Sequence, residues 1–363
     1  MIHQIRTNYT CEKKHRCYCI SLSVISLLCC FVGCELLARA LVPKEFFQPM
    51  SNIYRPVNAE YRYTLKPNLN TTAFGVPLKT NSFGFRGREW TLSKDKNRVR
   101  IALLGDSHAF GYGVAFDETV GEKLAAKLNE RGEKEFEVLN FGVVGYNSRQ
   151  ELAVLQSDVL KFNPDILIVI PCNNDHKDSF NASADGFLVT QNNVTINDES
   201  IEKLKIKTSS WFIGKSRLLY YLLFLKKQFE LSHGIVELRE PTDRDVADRS
   251  RWWMGPFEPV PIPEQLYKTV YEPLQEMIRV AKMNNMPIVI ANFNALPAYR
   301  QLFAQLAQEE DVPSLELLSL FPEVNSWQEL LQKFGLGWNN HLNANAHDRW
   351  AESLCKIVIN MKK

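Results

Sequence analysis

Five short apolar runs, Val99–Leu104, Phe136–Leu139, Asp165–Ile170, Pro287–Asn292 and Val312–Leu317, are separated by segments of helical periodicity. Runs this short, rich in Val, Ile and Leu, read as strands buried on both faces. Between them the period changes. Glu118–Arg131 sets Val120, Leu124 and Leu128 on one helical face, and Arg149–Lys161 does the same with Leu152, Leu155 and Val159. Further helices are predicted over Glu264–Lys282, Tyr299–Glu309 and Asn343–Met361. Strand–helix alternation predicts a three-layer α/β/α domain around a central parallel sheet. Residues 176–260 interrupt the rhythm, carry little strand signal and read as an insert.

A chain of 363 residues, 45% apolar and 23% charged, has ample material for one large core. The net charge of +2, with no polybasic stripe, argues against nucleic acid as a partner. Six of the eight cysteines (Cys11, Cys17, Cys19, Cys29, Cys30 and Cys34) lie near the N-terminus, leaving Cys172 and Cys355 for the rest. That excludes a disulfide framework for the main domain. No Cys/His spacing suits zinc and no H-E-x-x-H is present, so neither metal nor cofactor is expected.

Cys17 to Cys34 is an uncharged stretch of eighteen residues, just long enough to cross a bilayer. Arg6, Lys13, Lys14 and Arg16 precede it, against Glu12 alone, so the positive-inside rule keeps residues 1–16 cytoplasmic and sends the rest outward. Ala38-Arg39-Ala40 offers a cleavage site and Val32-Gly33-Cys34 a loose lipoprotein box; an uncleaved anchor over 17–42 is the favoured reading. A connector, 43–97, is expected to lean on the main domain, 98–363, as irregular structure. Within the insert, Leu218–Leu225 is flanked by Lys215, Arg217, Lys226 and Lys227. It reads as a helix packed on the domain or one lying on lipid. Trp252, Trp253 and Phe257 read as packing or as a sugar-stacking face.

Polar residues collect where the strands end, which is where open α/β sheets bind ligands. Gly105-Asp106-Ser107 follows the first run, and Ser107 is a candidate nucleophile. Asn140, Gly142 and Gly145 follow the second, Asn173-Asn174-Asp175 the third, and Trp338-Asn339-Asn340-His341 precedes the last helix. Ser, Gly, Asn and His at one sheet edge is the set that acyl transfer requires: a nucleophile, a base and oxyanion donors.

In these blocks the chain, from about Arg98 onward outside the insert, resembles the SGNH (GDSL-type) hydrolase superfamily. The resemblance implies a flavodoxin-like sheet order and a serine esterase. Ser107 would be nucleophile and first oxyanion donor, the Gly145 N–H and the Asn174 amide the other donors, and His341 the base. Asn81-Ser-Phe-Gly-Phe-Arg86 and the anchor resemble a membrane-tethered bacterial branch. Two positions depart from the pattern. Trp338 stands where the family places an aspartate, and Ala346 where a glycine is usual. Asn339 and Asn340 are then the nearest polar supports for His341, with Asp106 and Asp175 ordering the loops around Ser107. His108 and His176 are expected in supporting or surface positions. The resemblance implies an acyl ester on a small molecule or glycan as substrate; an O-acyltransferase, or a binding module that has lost turnover, would keep the same residues. Protease added to intact cells is expected to digest the main domain, and protection of that domain would refute the outward orientation.

Overall fold

Strands that are apolar throughout place one hydrophobic set on each face of a sheet, because successive side chains alternate. The computed structural model describes residues 2–41, 53–57, 61, 63–132, 134–172, 175, 180–182, 188–190, 216, 218, 222, 260–294, 296–337 and 341–361. The five runs form β1 (Arg98–Gly105), β2 (Glu135–Asn140), β3 (Ile166–Ile170), β4 (Ile288–Asn292) and β5 (Ser314–Glu316). They make one parallel sheet in the order β5-β4-β3-β1-β2. Ala102, Leu104, Leu139, Leu167, Val169, Ile288 and Ile290 face one core, closed by the helices Ser148–Ser157, Glu272–Met283 and Pro297–Glu310. Ile101, Leu103, Ile166, Ile168, Ile170, Val289 and Ala291 face the other, under Val120–Asn129, Trp327–Phe334 and Ala344–Asn360. The chain is therefore a three-layer α/β/α fold.

Register decides where the polar loops emerge. Gly105 of β1 pairs with Ile170 of β3, and Leu103 with Asn140 of β2. The segments after β1, β2 and β3 thus leave the sheet side by side, with the β1 exit in the middle.

The structure departs from the sequence reading in several elements. The helix expected over Glu264–Lys282 begins with a short turn, Glu264–Leu266, and a π-helical stretch, Tyr267–Tyr271, before Glu272–Met283. Pro273 lacks an N–H and crowds the carbonyl four residues back, which widens that turn. Trp327–Phe334 is a helix outside the sequence reading, although Trp327, Leu330, Leu331 and Phe334 recur at helical spacing; Ser326 caps it, accepting from Glu329 N at 3.1 Å. The insert holds an antiparallel pair, Phe180–Ala182 with Leu188–Thr190, despite its weak strand signal. Of Leu218–Leu225 only Leu218 and Leu222 are described, both helical. His176, Trp252, Trp253 and Phe257 lie outside the described residues.

The N-terminal helix runs Ile2–Leu41, and its Ser21–Leu41 portion, of mean hydropathy 2.1, is long and apolar enough to cross a membrane. Near its end Glu35 accepts hydrogen bonds from Ser216 Oγ (2.7 Å) and Leu218 N (3.1 Å), fastening the insert to this helix.

The connector is more ordered than its composition suggests. Tyr54–Pro56 pairs with Tyr63–Leu65, and Asn70–Ala73 with Val76–Lys79. Ile53, Tyr54, Tyr63, Leu65, Leu78 and Phe85 enter the first core. Asn81 Oδ1 accepts from Phe83 N (3.1 Å) and Phe85 N (3.0 Å), a side-chain-closed turn that directs Arg86 inward. Arg86 is 2% exposed. Its Nη1 donates to the carbonyls of Phe110 (3.1 Å) and Gly111 (2.6 Å), and its Nη2 to Val114 (2.7 Å). Burial pushes its pKa down to about 10, leaving it charged at neutral pH. Arg86→Ala orphans three buried acceptors and is expected to cost about 1–3 kcal/mol in urea denaturation of the detergent-solubilised chain. Arg86→Lys should restore little, since one ammonium cannot reproduce the planar fork.

Candidate active site

β1 ends on Gly105 at φ +150°, where an added Cβ would fall 2.9 Å from the Ile170 carbonyl and 2.7 Å from Ala109 Cβ. Only glycine admits this approach, and it lets the chain turn straight from strand into the short helix Ser107–Phe110. Asp106 caps that helix, its Oδ1 accepting from His108 N at 3.0 Å. Its Oδ2 lies 3.2 Å from both Ser107 Oγ and Cys172 Sγ.

His341 arrives from the far end of the sequence in a frame of its own. Gly335 and Leu342 form an antiparallel bridge, Leu336 N donates to the His341 carbonyl (3.0 Å), and Asn343 N donates to that of Phe334 (2.7 Å). The Asn343 side chain then caps the last helix, accepting from Asn345 N (3.1 Å) and Ala346 N (3.3 Å). Ala346 therefore sits in a first helical turn, which alanine suits. These two frames bring His341 Nε2 to 2.7 Å from Ser107 Oγ. A hydroxyl has one proton, and the shorter contact, to an imidazole nitrogen, takes it in preference to Asp106.

Burial pushes the His341 pKa down to about 3, with the neighbouring His108 adding to the effect and Asp106 opposing it. His341 is thus neutral at pH 7 and able to accept a proton. His108 is buried against Phe293 (4.5 Å between ring centroids), His341 (5.1 Å) and Trp350 (5.7 Å). Burial lowers its pKa too, against the pull of Asp106. His347 is buried and neutral, accepting from Val120 N at 3.2 Å, with its pKa pushed down to about 3 chiefly by burial.

The loop after β2 is fastened along the Ser107 segment. Phe141 N donates to the Leu103 carbonyl (2.8 Å) and Val143 N to that of Gly105 (3.2 Å). Asn140 Nδ2 donates to the Ala109 carbonyl (2.6 Å), while its Oδ1 accepts from Gly142 N (2.9 Å). Gly145 occupies the third position of the turn Val143–Tyr146 at φ +79°, a conformation that favours glycine. Tyr63 of the connector braces this turn. Its hydroxyl donates to the Val144 carbonyl (3.0 Å), and the Tyr146 hydroxyl donates back to the Tyr63 carbonyl.

Asn174 lies outside the described residues, as do Trp338, Asn339 and Asn340. Asp175 is buried, and its Oδ2 accepts from Cys172 N (3.1 Å) and Ser148 Oγ (3.2 Å), which orders the β3 exit. Burial and then Asp106 drive its carboxyl well above the usual range; Glu151, buried beside it, is driven up by burial, Asp175 and Asp106. Among the described residues no group of three or more His, Cys, Asp or Glu is arranged to hold a metal ion.

Sequence reasoning did not single out Tyr112, whose ring stacks on His341 at 4.3 Å and 19°. It also left Arg86 without a job, although that residue holds the turn on which Tyr112 sits. The available signal was Gly111-Tyr-Gly113, a single aromatic between two glycines just past Ser107.

No family model matches the chain, and no curated protein matches it. Among solved structures it is similar to a lipolytic protein of the G-D-S-L family from Desulfitobacterium hafniense DCB-2, at 13% identity and TM-score 0.40, covering 71% of this chain and 99% of that one. It is similar also to a GDSL-like lipase from Parabacteroides merdae (13%, 0.39, 74% and 98%) and an acylhydrolase from Bacteroides fragilis (12%, 0.38, 75% and 92%). At these identities and scores the likeness assigns no residue a role.

A pH dependence of stability follows from the two imidazoles with lowered pKa values. In the unfolded chain a histidine takes its proton near pH 6.5, whereas folded His341 and His347 do so only near pH 3. Stability should therefore fall as pH drops below about 6.5. The urea midpoint is expected to be lower at pH 5 than at pH 7.5, and the difference smaller in His347→Asn.

Proposed function

We propose that this chain is an SGNH-type serine esterase, a reading carried by the 2.7 Å contact between Ser107 Oγ and His341 Nε2. His341 takes the Ser107 proton as Oγ attacks an ester carbonyl. The tetrahedral oxyanion is held by the backbone N–H groups of Ser107 and Gly145 and by the Asn174 amide. On collapse the ester C–O bond breaks, and the leaving alkoxide takes the proton from His341. Water, deprotonated by the same imidazole, then attacks the acyl-enzyme, releases the acid and returns Ser107 to its starting state. Neutral His341 supports its role as base, and the glycine-framed turn at Gly145 beside the nucleophile supports an oxyanion hole. Asp106 and Asp175 order the surrounding loops, and Asn339 and Asn340, the polar residues just before His341 in sequence, would support its imidazole.

The basic residues ahead of the apolar helix support a tethered enzyme with its site outside the cytoplasm. There, acyl and in the first instance acetyl esters on cell-surface glycans are the substrates we favour. An O-acyltransferase would differ only in admitting a sugar hydroxyl in place of water. Trp338, at the family's aspartate position, favours a second reading: a pocket that binds without turnover.

One comparison separates these. Wild type, Ser107→Ala and His341→Ala are assayed on p-nitrophenyl acetate and labelled with a fluorophosphonate probe. We expect wild-type labelling at Ser107, with activity lost by about 10³-fold or more in either variant. An unlabelled wild type would overturn the esterase; labelling without turnover would favour the binding module.

A further inference from the structure

The proposed reaction makes a part-buried imidazole carry a positive charge, and the position where the resemblance would place an aspartate to stabilise that charge is Trp338. An aromatic ring lies on the imidazole instead. Tyr112 and His341 are nearly parallel, at 19°, with centroids 4.3 Å apart. The face of an aromatic ring is negative, and a cation within about 6 Å of its centroid is attracted to it. We infer that the ring of Tyr112 stabilises the His341 imidazolium and keeps its Nε2 aligned on Ser107, which makes Tyr112 the positioning residue of this site. The inference rests on the serine-esterase reading above.

Tyr112 is held as such a role requires. Its backbone N–H donates to the Ser107 carbonyl at 2.9 Å, so ring and nucleophile share one turn. Arg86 grips the carbonyls of Phe110, Gly111 and Val114 on both sides of it. Phe74, at the tip of the hairpin formed by Asn70–Ala73 and Val76–Lys79, packs on the Tyr112 ring at 4.5 Å.

Among the described residues, His108 and Asp106 also act on His341. His108, 5.1 Å away and tilted by 40°, disfavours a second positive charge. Asp106 favours the imidazolium, but its Oδ1 is engaged by His108 N and its Oδ2 by Cys172 Sγ. In the step concerned the Ser107 O–H bond breaks and an Nε2–H bond forms. The positive charge then spreads over the imidazolium beneath Tyr112, until the proton passes to the leaving alkoxide.

The test varies the charge on the ring face while holding its size. Position 112 is filled in turn with Phe and with mono-, di- and trifluorinated Phe in the full-length, detergent-solubilised chain. The measured quantity is the second-order rate at which a fluorophosphonate probe labels Ser107, a step that needs His341 to take the proton. Tyr112→Phe should keep most of the rate. Successive fluorines should lower it stepwise by about 2- to 30-fold in total, the rate equivalent of a cation–π contact, with an unchanged melting temperature. Mere packing would leave the rate flat across the series, and that result overturns the inference. Loss of labelling already in a folded Tyr112→Phe would assign the effect to the hydroxyl, which also overturns it. An unlabelled wild type would instead overturn the nucleophile, and this inference with it.

Discussion

The contact between Ser107 and His341 joins residues 234 positions apart, and most of the site's architecture serves to make it at 2.7 Å. Neither partner is positioned by the other. Ser107 is delivered by the middle exit of the sheet, through a turn that Gly105 alone permits and a helix that Asp106 caps. His341 is delivered by the Gly335–Leu342 bridge and the Asn343 cap. Catalytic geometry tolerates errors of roughly half an ångström, so two independently rigid frames are a condition for chemistry. The rings around His341, Tyr112 on one side and the buried His108 nearby, restrict its motion further.

A second layer of support comes from the connector. Arg86 grips the turn after Ser107, and Tyr63 grips the turn that carries Gly145. A hydrogen bond from a charged donor contributes about 1.5–3 kcal/mol, more than a neutral one, because both groups stay out of water. A segment that reads as linker thus controls two of the three loops around Ser107.

What the sequence reveals tracks how local the cause of each feature is. β1 to β4 were legible because burial on both faces leaves uninterrupted Val, Ile and Leu runs. The Ser107 and His341 blocks stand out in the sequence because each adjoins a strand or a helix, and the structure sets the two side chains 2.7 Å apart. The connector hairpins were not: strands of three or four residues such as Tyr63–Leu65 are too short for alternation to register. The helix Trp327–Phe334 was missed although its Ser326–Glu329 capping pattern is present. Tyr112 could not be assigned from sequence, since its significance depends on a ring 229 positions away in the chain. Asn174, Asn339 and Asn340 remain assignments by resemblance.

The bracing of the site from upstream has a consequence for shedding. Scission between Leu41 and Ile53 would free the domain from its apolar helix with Tyr63 and Arg86 still covalently attached. Scission between Arg86 and Arg98 would turn those same residues into a separate peptide, held by affinity alone. An intramolecular brace with a high effective concentration would then become a ligand that dilution can remove. A cut a few dozen residues further along would make the fold a two-part complementation system.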